Sequence, residues 1–195
     1  MPKAKPAPKK KSSSPSPSKS KNQKPKAEPN SMQDPAAGLP GLFLNGIKDL
    51  YWAENHLVKA LRKMEQAAGN QQLKNAFADH REITATHVQR LEEVFDMLGE
   101  KALAKKCDAI EGLTMEGEGT IESTPSRTET RDTGLIMSAQ KVENYEITAY
   151  NGLIKLGTSL GYGDVVDLLN ETLAEEQQAS ELLEDIGSQL LQSRS

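Results

Sequence analysis

The sequence predicts an all-α protein built around an antiparallel four-helix bundle. Strong helix formers such as Leu, Ala, Glu, Lys and Gln dominate the 195 residues, and only 4% of the residues are aromatic. Four stretches of 25 or more residues repeat side chains in alternating steps of four and three, which places them on one face of a helix. Each pair of stretches is joined by a tight glycine turn, and a long joint separates the pairs. This order predicts two helical hairpins joined by a long crossover.

The first predicted hairpin joins helices at residues 40–68 and 73–98 through a turn at Gly69-Asn70. Because the turn is short, the two helices should pack antiparallel. The predicted buried face of the first helix comprises Phe43, Ile47, Leu50, Glu54, Leu57, Leu61 and Met64. That of the second comprises Leu73, Phe77, His80, Thr84, His87, Leu91, Val94 and Leu98. Both faces are apolar at their ends and carry polar residues near the middle.

The second predicted hairpin joins helices at residues 133–160 and 164–191 through Gly161-Tyr162-Gly163. The face of the third helix comprises Ile136, Gln140, Glu143, Ile147, Tyr150, Ile154 and Gly157, with Glu146 on its flank. The face of the fourth comprises Val165, Leu169, Thr172, Glu176, Ala179, Leu183, Ile186 and Leu190. Residues 99–132 form the crossover, in which ALAKKCDAIEGL predicts a short helix before a Gly/Thr/Ser/Pro-rich stretch. A four-helix bundle with one long crossover is the ferritin-like arrangement.

Residues 1–37 differ in composition and predict a disordered Lys/Pro/Ser-rich tail ahead of a folded domain at 38–195. The tail has too few bulky apolar residues to offset the entropy of ordering. It carries a net charge of +7, whereas the remaining residues carry −11. Its lysines are Lys3, Lys5, Lys9, Lys10, Lys11, Lys19, Lys21, Lys24 and Lys26. Two interpretations stay open: a solubilising linker, or an arm that binds DNA or another polyanion by neutralising phosphates.

Cysteine content and hydrophobicity indicate the compartment. Cys107 is the single cysteine, which excludes an internal disulfide and fits a reducing compartment. The sequence contains no run of 18 or more apolar residues, so we expect no membrane association. The N-terminal residues also lack the apolar core of a secretory signal. We therefore expect a cytoplasmic protein.

Polar residues on the predicted buried faces indicate a metal centre at mid-height of the bundle. Burial of such residues is costly unless they are paired or bind a metal. Four helices that each offer a ligand to one layer are typical of dinuclear iron or manganese carboxylate sites. Carboxylates and imidazoles suit Fe or Mn, and the lack of thiolates argues against a structural zinc or iron–sulfur site. The candidate ligands are Glu54, His80, His87, Glu143, Glu146 and Glu176.

Structural roles compete with metal binding at several of these positions. His80 and His87 could equally be core histidines that are hydrogen-bonded to buried carboxylates or to a tyrosine. Glu176 keeps the helical register of its face, and the adjacent Glu175 does not. We therefore assign Glu175, together with Tyr150, a supporting role beside the ligands.

The pattern departs from the usual di-iron constellation. Such sites carry a Glu-x-x-His motif on two of their helices, and this motif is absent from the sequence. Thr84 stands three residues before His87, where a glutamate would complete the motif. The centre could therefore be dinuclear, mononuclear, weakly metallated or unusually rich in histidine. Away from this layer, we expect a solvated His56 and a Cys107 without a chemical role.

Four stretches resemble the bacterial YciF/YciE family of ferritin-like proteins, the DUF892 group. They are KDLYWAENHLVKAL, AFADHREITATHVQRLEEVF, SAQKVENYEITAY and LNETLAEEQQASELL, and the resemblance covers about residues 40–190. It implies a ferritin-like bundle, usually a homodimer, with a dinuclear metal centre and an association with bacterial stress responses. The family commonly has an acidic residue at position 83, where this chain has Ile83.

Two functions are therefore expected from the sequence. The first is a ferritin-like stress-response protein that binds Fe or Mn in the bundle core and oxidises Fe(II) or removes peroxide. The second is a non-enzymatic dimeric scaffold with a degenerate metal site, whose basic tail binds DNA or another polyanion. The polar layer favours the first function, and the missing Glu-x-x-His motif favours the second.

Overall fold

The computed structural model describes residues 38–192, which form five α-helices. The predicted tail at 1–37, with its nine lysines, lies outside the described residues, as do residues 193–195. The helices are α1 (Gly38–Ala67), α2 (Gln71–Met97), α3 (Asp108–Ser123), α4 (Glu129–Leu160) and α5 (Gly163–Gln192). The hairpins α1–α2 and α4–α5 pack together through α1 against α4 and α2 against α5. The predicted all-α bundle of two hairpins with a long crossover is confirmed.

Each bundle helix buries an apolar face, and most of these side chains meet in two clusters, one towards each end of the bundle. One cluster includes Phe43, Leu91, Phe95, Tyr150 and Leu169, and the other includes Leu61, Leu73, Phe77, Leu135 and Ile186. A third, smaller cluster joins α1 and α4 to α3 and includes Leu57, Ile110 and Val142. Area removed from water in these clusters is the main force that holds the helices together. The outer faces are polar, and none of the described helices is apolar over enough length to cross a bilayer.

The predicted face of α4 is wrong at three positions. Gln140, Ile147 and Ile154 are only half-buried, whereas Glu146 and Leu153 are buried. The reason is that α4 packs against α3 as well as against α1 and α5, so its buried face is wider than a single stripe. Glu146, predicted on the flank, consequently lies inside the bundle with 1% of its surface exposed.

The crossover contains a longer and later helix than its sequence predicts. Residues 101–107 are not helical, and α3 instead extends through the glycine-rich MEGEGTIES segment. Each interior glycine costs roughly 1 kcal/mol of helix stability, which is why the sequence predicts a loop there. Packing compensates: Ile110 and Thr114 of α3 are buried against α1 and α4, and Lys63 and Lys141 pair with Glu118 and Glu116.

A buried carboxylate ties the start of α4 to the turn of the first hairpin. Asp132 Oδ1 accepts a hydrogen bond from the Gly69 amide at 2.6 Å, and Asp132 Oδ2 accepts one from the Asn70 amide at 2.9 Å. Asp132 is 4% exposed, so both bonds are shielded from water. The turn also contains the N-cap of α2, where the Asn70 side chain accepts a hydrogen bond from the Leu73 amide at 3.0 Å. The crossover thus returns the chain to the end of the bundle from which α2 begins.

Replacing Asp132 with alanine should lower the free energy of unfolding by about 2–3 kcal/mol, because two partly buried amides of the turn lose their acceptor. Urea denaturation at neutral pH measures this effect as a lower midpoint with an unchanged slope. Asp185→Ala is the matched control, since Asp185 is exposed on α5, and its effect should stay within about 0.5 kcal/mol. Equal midpoints for the two variants would show that the Asp132 bonds do not stabilise the fold.

Candidate metal centre

A layer of buried polar side chains separates the two apolar clusters, and each helix of the bundle contributes to it. The sequence places the layer there because each buried face carries its polar residues near the helix midpoint. Every residue in the layer is 8% exposed or less. The layer comprises Glu54 from α1, His80, Thr84 and His87 from α2, Glu143, Glu146 and Tyr150 from α4, and Thr172 and Glu176 from α5.

The first cluster of possible ligands joins α1, α2 and α5. His87 Nδ1 lies 2.9 Å from Glu176 Oε1 and 3.4 Å from Glu54 Oε2. All three side chains are fully buried. One ligand atom from each lies within 4.8 Å of the others, which is close enough for a single ion to contact all three.

The second cluster joins α2, α4 and α5 and shares a residue with the first. His80 Nε2 lies 3.4 Å from Glu143 Oε1 and 3.5 Å from Glu176 Oε2. The ligand atoms of these three residues also lie within 4.8 Å of one another. Glu176 therefore offers one oxygen to each histidine, as a carboxylate that bridges two metal ions would do.

Hydrogen bonds outside the two clusters fix the orientation of their members. Tyr150 Oη donates to Glu54 Oε1 at 2.5 Å. His87 Nε2 lies 2.9 Å from Glu175 Oε2, and Arg90 in turn donates to both oxygens of Glu175. A carboxylate on the far nitrogen of an imidazole sets its tautomer and leaves the other nitrogen free to bind a metal. Tyr150 and Glu175, for which the sequence predicts a supporting role, each contact one of the candidate ligands.

The charge of the layer is dominated by carboxylates whose desolvation favours protonation. Burial raises the pKa of Glu143 to about 7, and it does the same for Glu176 despite the opposing effect of His87. Burial and the Glu54 carboxylate raise the pKa of Glu146 well above its usual value. Burial alone would lower the pKa of His87, but Glu176 and Glu54 outweigh it and raise that pKa to about 10. Cations brought into this layer would displace protons from it.

Unsatisfied polar atoms show that the residues of the layer fit a metal. Glu54 Oε2, Glu143 Oε2, Glu146 Oε1 and both oxygens of Glu176 are buried and accept no hydrogen bond within the described protein. Buried polar atoms without partners are rare, since each costs about 1–3 kcal/mol. Oxygen and imidazole donors suit iron and manganese as well as other divalent ions. The layer therefore has the donors, the negative charge and the missing partners of a centre that could hold metal.

The sequence identified most of this layer and missed part of its surroundings. Five of the six predicted ligands lie in the two clusters, and the sixth, Glu146, is buried beside them without belonging to either. Arg90 was not predicted, because an arginine one turn beyond His87 is expected to be solvated. Its signal was the spacing of three residues from His87, which places both on one side of α2.

Three further residues that the sequence singled out lie outside the two ligand clusters. His56 is not solvated: it is half-buried, it lies 2.9 Å from Thr114 Oγ1, and it stacks on Trp52 at 4.6 Å. Cys107 is buried at the start of α3, with its sulfur 3.1 Å from Tyr145 Oη, and burial raises its thiol pKa, which disfavours the reactive thiolate. Ile83 is 37% exposed and thus lies outside the polar layer.

Comparison with known proteins identifies relatives for nearly all of the described chain. The sequence model of the family described as "Domain of unknown function (DUF892)" matches residues 39–195. Protein YciF of Escherichia coli K12 is 40% identical over 146 residues, which cover 74% of this chain and 87% of YciF.

Solved structures agree with this relationship. The crystal structure of the E. coli stress protein YciF superposes with a TM-score of 0.77 at 38% identity, covering 80% of this chain and 98% of YciF. YcfI from Rhodopseudomonas palustris, provisionally described as a structural protein, superposes with a TM-score of 0.74 at 35% identity. The match covers 80% of this chain and 97% of YcfI. A Xanthomonas campestris protein superposes with a TM-score of 0.61 at 17% identity, and the match covers 80% of this chain and 99% of that protein. At this low identity the match shows the fold alone. These neighbours fit the ferritin-like bundle.

The pKa shifts predict how the stability of metal-free protein depends on pH. The pKa of His87 is raised from 6.5 to about 10, and those of Glu143 and Glu176 from 4.5 to about 7. In each case the folded state holds protons that the unfolded state has released, so stability is lost as pH rises towards the folded pKa. The lowered pKa of His80 acts in the opposite direction, but only below about its usual 6.5.

Between pH 7 and 9, chelator-treated protein should therefore lose about 2 kcal/mol of unfolding free energy. Urea denaturation at each pH measures this loss of unfolding free energy. Glu176→Gln should flatten the dependence by removing one of the two carboxylates that lie 2.9 Å from His87, while Glu181→Gln, on the exposed side of α5, should not. Stability that rises over this range would contradict the charge distribution described above.

Proposed function

The chain belongs to the DUF892 family, as its sequence motifs predicted, and from this membership and the buried layer we propose that it is a ferritin-like bacterial stress-response protein that binds two iron or manganese ions in the bundle core. The observation that carries the proposal is the shared carboxylate. Glu176 is fully buried and lies at hydrogen-bonding to ion-pair distance from both His87 and His80. Each oxygen of Glu176 faces a different histidine, and neither accepts a hydrogen bond of normal geometry, so both oxygens remain available to a cation.

Charge balance supports two ions rather than one. When all four are ionised, Glu54, Glu143, Glu146 and Glu176 together bring four negative charges into one layer of buried residues. Two divalent cations would neutralise these charges, whereas one would leave two carboxylates either charged or protonated. The imidazoles lie in different clusters, so each ion would receive one nitrogen ligand. Although the Glu-x-x-His motif is missing, neither ion would lack a nitrogen ligand, because α2 supplies both histidines.

Iron bound by this ligand set can be oxidised, since carboxylates stabilise the higher oxidation state. In the proposed reaction two Fe(II) ions each give up one electron, and hydrogen peroxide takes both electrons with two protons and leaves as two water molecules. The residues of the chain hold the reactants: Glu176 connects the two positions, and Tyr150 fixes Glu54. Arg90 and Glu175 keep His87 in the tautomer that presents Nδ1 to the cluster.

Metal analysis tests the proposal, and the three histidines of the chain provide a matched control. Protein loaded anaerobically with Fe(II) or Mn(II) and desalted should retain about two ions per chain. His87→Ala and Glu176→Gln should each retain less than about half of that amount, because each removes a ligand from one or both clusters. His56→Ala should retain all of it, since His56 lies between α1 and α3 outside the layer.

Oxidation is then followed in the loaded proteins. Stoichiometric peroxide should convert the bound Fe(II) to Fe(III) faster than it converts free Fe(II), and His56→Ala should behave like the unaltered protein. Retention of less than about half an ion per chain by unaltered protein would exclude the proposed centre. Full retention by Glu176→Gln would exclude its bridging role.

A second candidate function concerns the tail. Nine lysines against two acidic residues within 1–37 favour binding to DNA or another polyanion, and we propose this as an additional role of the same protein. We extend the proposal to a homodimer in the cytoplasm. Dimerisation would bring two tails together and strengthen weak binding through multivalency.

Removal of residues 1–37 should abolish retention on DNA at low salt. For the full-length protein, the logarithm of the binding constant should fall with the logarithm of salt concentration with a slope of about −6, as expected for seven net charges. Electrophoretic mobility shift at several salt concentrations measures the slope. Replacement of the nine lysines by glutamine is the control for tail length. Equal DNA binding by all three proteins would exclude the tail as the polyanion-binding segment.

A further inference from the structure

The two histidines of the polar layer differ in what supports them. The far nitrogen of His87 has a partner, because His87 Nε2 lies 2.9 Å from Glu175 Oε2. The corresponding atom of His80 is Nδ1, since its Nε2 faces Glu143 and Glu176. His80 Nδ1 is buried and has no hydrogen bond within the described protein. A histidine that binds a metal through one nitrogen almost always donates a hydrogen bond from the other, so His80 lacks an expected partner.

A cavity of about 150 Å³ borders His80 between α2 and α5. Its volume is similar to that of cavities that hold a benzene-sized molecule. Most of its wall is apolar and comes from Ala76, Phe77, Ile83, Ala179, Leu182 and Leu183. Ile83 and Leu182 are 37% and 43% exposed, so apolar side chains also line the side that reaches the surface. The cavity therefore connects solvent with the residues of the second ligand cluster.

The polar part of the cavity wall favours a neutral occupant. Three carboxylates border the cavity, those of Asp79, Glu143 and Glu175, and the two without an arginine partner, Asp79 and Glu143, would repel an anion. Glu175 is already paired with Arg90, which reduces its attraction for a cation. The apolar wall, in turn, cannot replace the hydration shell of an ion. A small molecule with an apolar body and one polar atom would satisfy both parts of the wall.

We propose that the cavity between α2 and α5 binds a small neutral organic molecule whose oxygen accepts a hydrogen bond from His80 Nδ1. The apolar body of this molecule lies against Phe77, Ile83 and Leu182, and its oxygen lies at the His80 end of the cavity. The role of Nδ1 as the donor rests on the proposed function, because a metal on Nε2 leaves the proton on Nδ1. The existence of the binding site rests on the cavity alone. The molecule would lie next to the metal centre, where a substrate of that centre would be expected.

Phenol is a suitable probe because it is neutral, benzene-sized and carries one oxygen. We expect metal-loaded protein to bind phenol with a dissociation constant in roughly the millimolar range, as measured by calorimetry. Benzene should bind about fivefold more weakly, since it cannot accept the hydrogen bond. Benzoate should show no binding, because the carboxylates of the cavity repel it. The ¹⁵N resonance of His80 Nδ1 should shift on addition of phenol and remain unchanged on addition of benzoate.

Ala179→Leu partly fills the cavity and should weaken phenol binding by about tenfold or more. Ala174→Leu is the matched control, because Ala174 is exposed on the same helix and does not border the cavity. Circular dichroism and thermal unfolding of both variants check that the bundle remains folded. Phenol binding equal in Ala179→Leu and unaltered protein would overturn the assignment. Equal affinities for phenol and benzene would overturn the role of His80.

The same variants separate this inference from the proposed function. If Ala179→Leu slows Mn(II) uptake and phenol does not bind, the cavity is a route for metal and the inference is wrong. If the protein takes up no metal, the proposed function fails, and calorimetry on chelator-treated protein still decides whether phenol occupies the cavity. Phenol binding that is lost in Ala179→Leu and kept in Ala174→Leu supports the site in either state of the centre.

Discussion

Four carboxylates in one buried layer are the constraint on which the rest of this structure depends. Glu54, Glu143, Glu146 and Glu176 repel one another, and each loses its hydration on burial. A fold can keep such a layer only if counter-charges enter it or protons remain on it, and if the surrounding core is stable enough to hold it closed. The two apolar clusters supply that stability from either side. The layer thus contributes binding capacity, and the apolar ends contribute the free energy that makes it tolerable.

Helical periodicity made the fold and most of this layer predictable. Glu54 and Glu176 occupy the register of apolar faces, so their burial follows from the spacing alone. Periodicity failed where a helix packs against more than two partners. Glu146 is buried because α3 covers α4, and α3 itself was hidden by glycines that a loop would also favour. Arg90 lies three residues after His87, but its partner Glu175 is 85 residues away, so this spacing alone does not predict their contact.

The centre is asymmetric although the two hairpins are a weak internal repeat. Both histidines come from α2, and the α4–α5 hairpin contributes carboxylates only. His87 is enclosed and held through Glu175, whereas His80 borders the cavity between α2 and α5. One side of the layer is therefore enclosed by protein, and the other borders a cavity that reaches the surface. A site of the proposed kind, which holds metal and admits a reactant, would benefit from this division.

The contact of Asp132 with the turn of the first hairpin has a consequence for how the chain reaches its native state. The bonded groups are 62 and 63 residues apart, so the turn cannot complete its hydrogen bonds until the crossover and α4 have arrived. The first hairpin can collapse by itself, but the amides of Gly69 and Asn70 acquire their acceptors only when the two halves dock. Protection of these amides from exchange with solvent would therefore mark the docking step, which comes later in folding than the formation of individual helices.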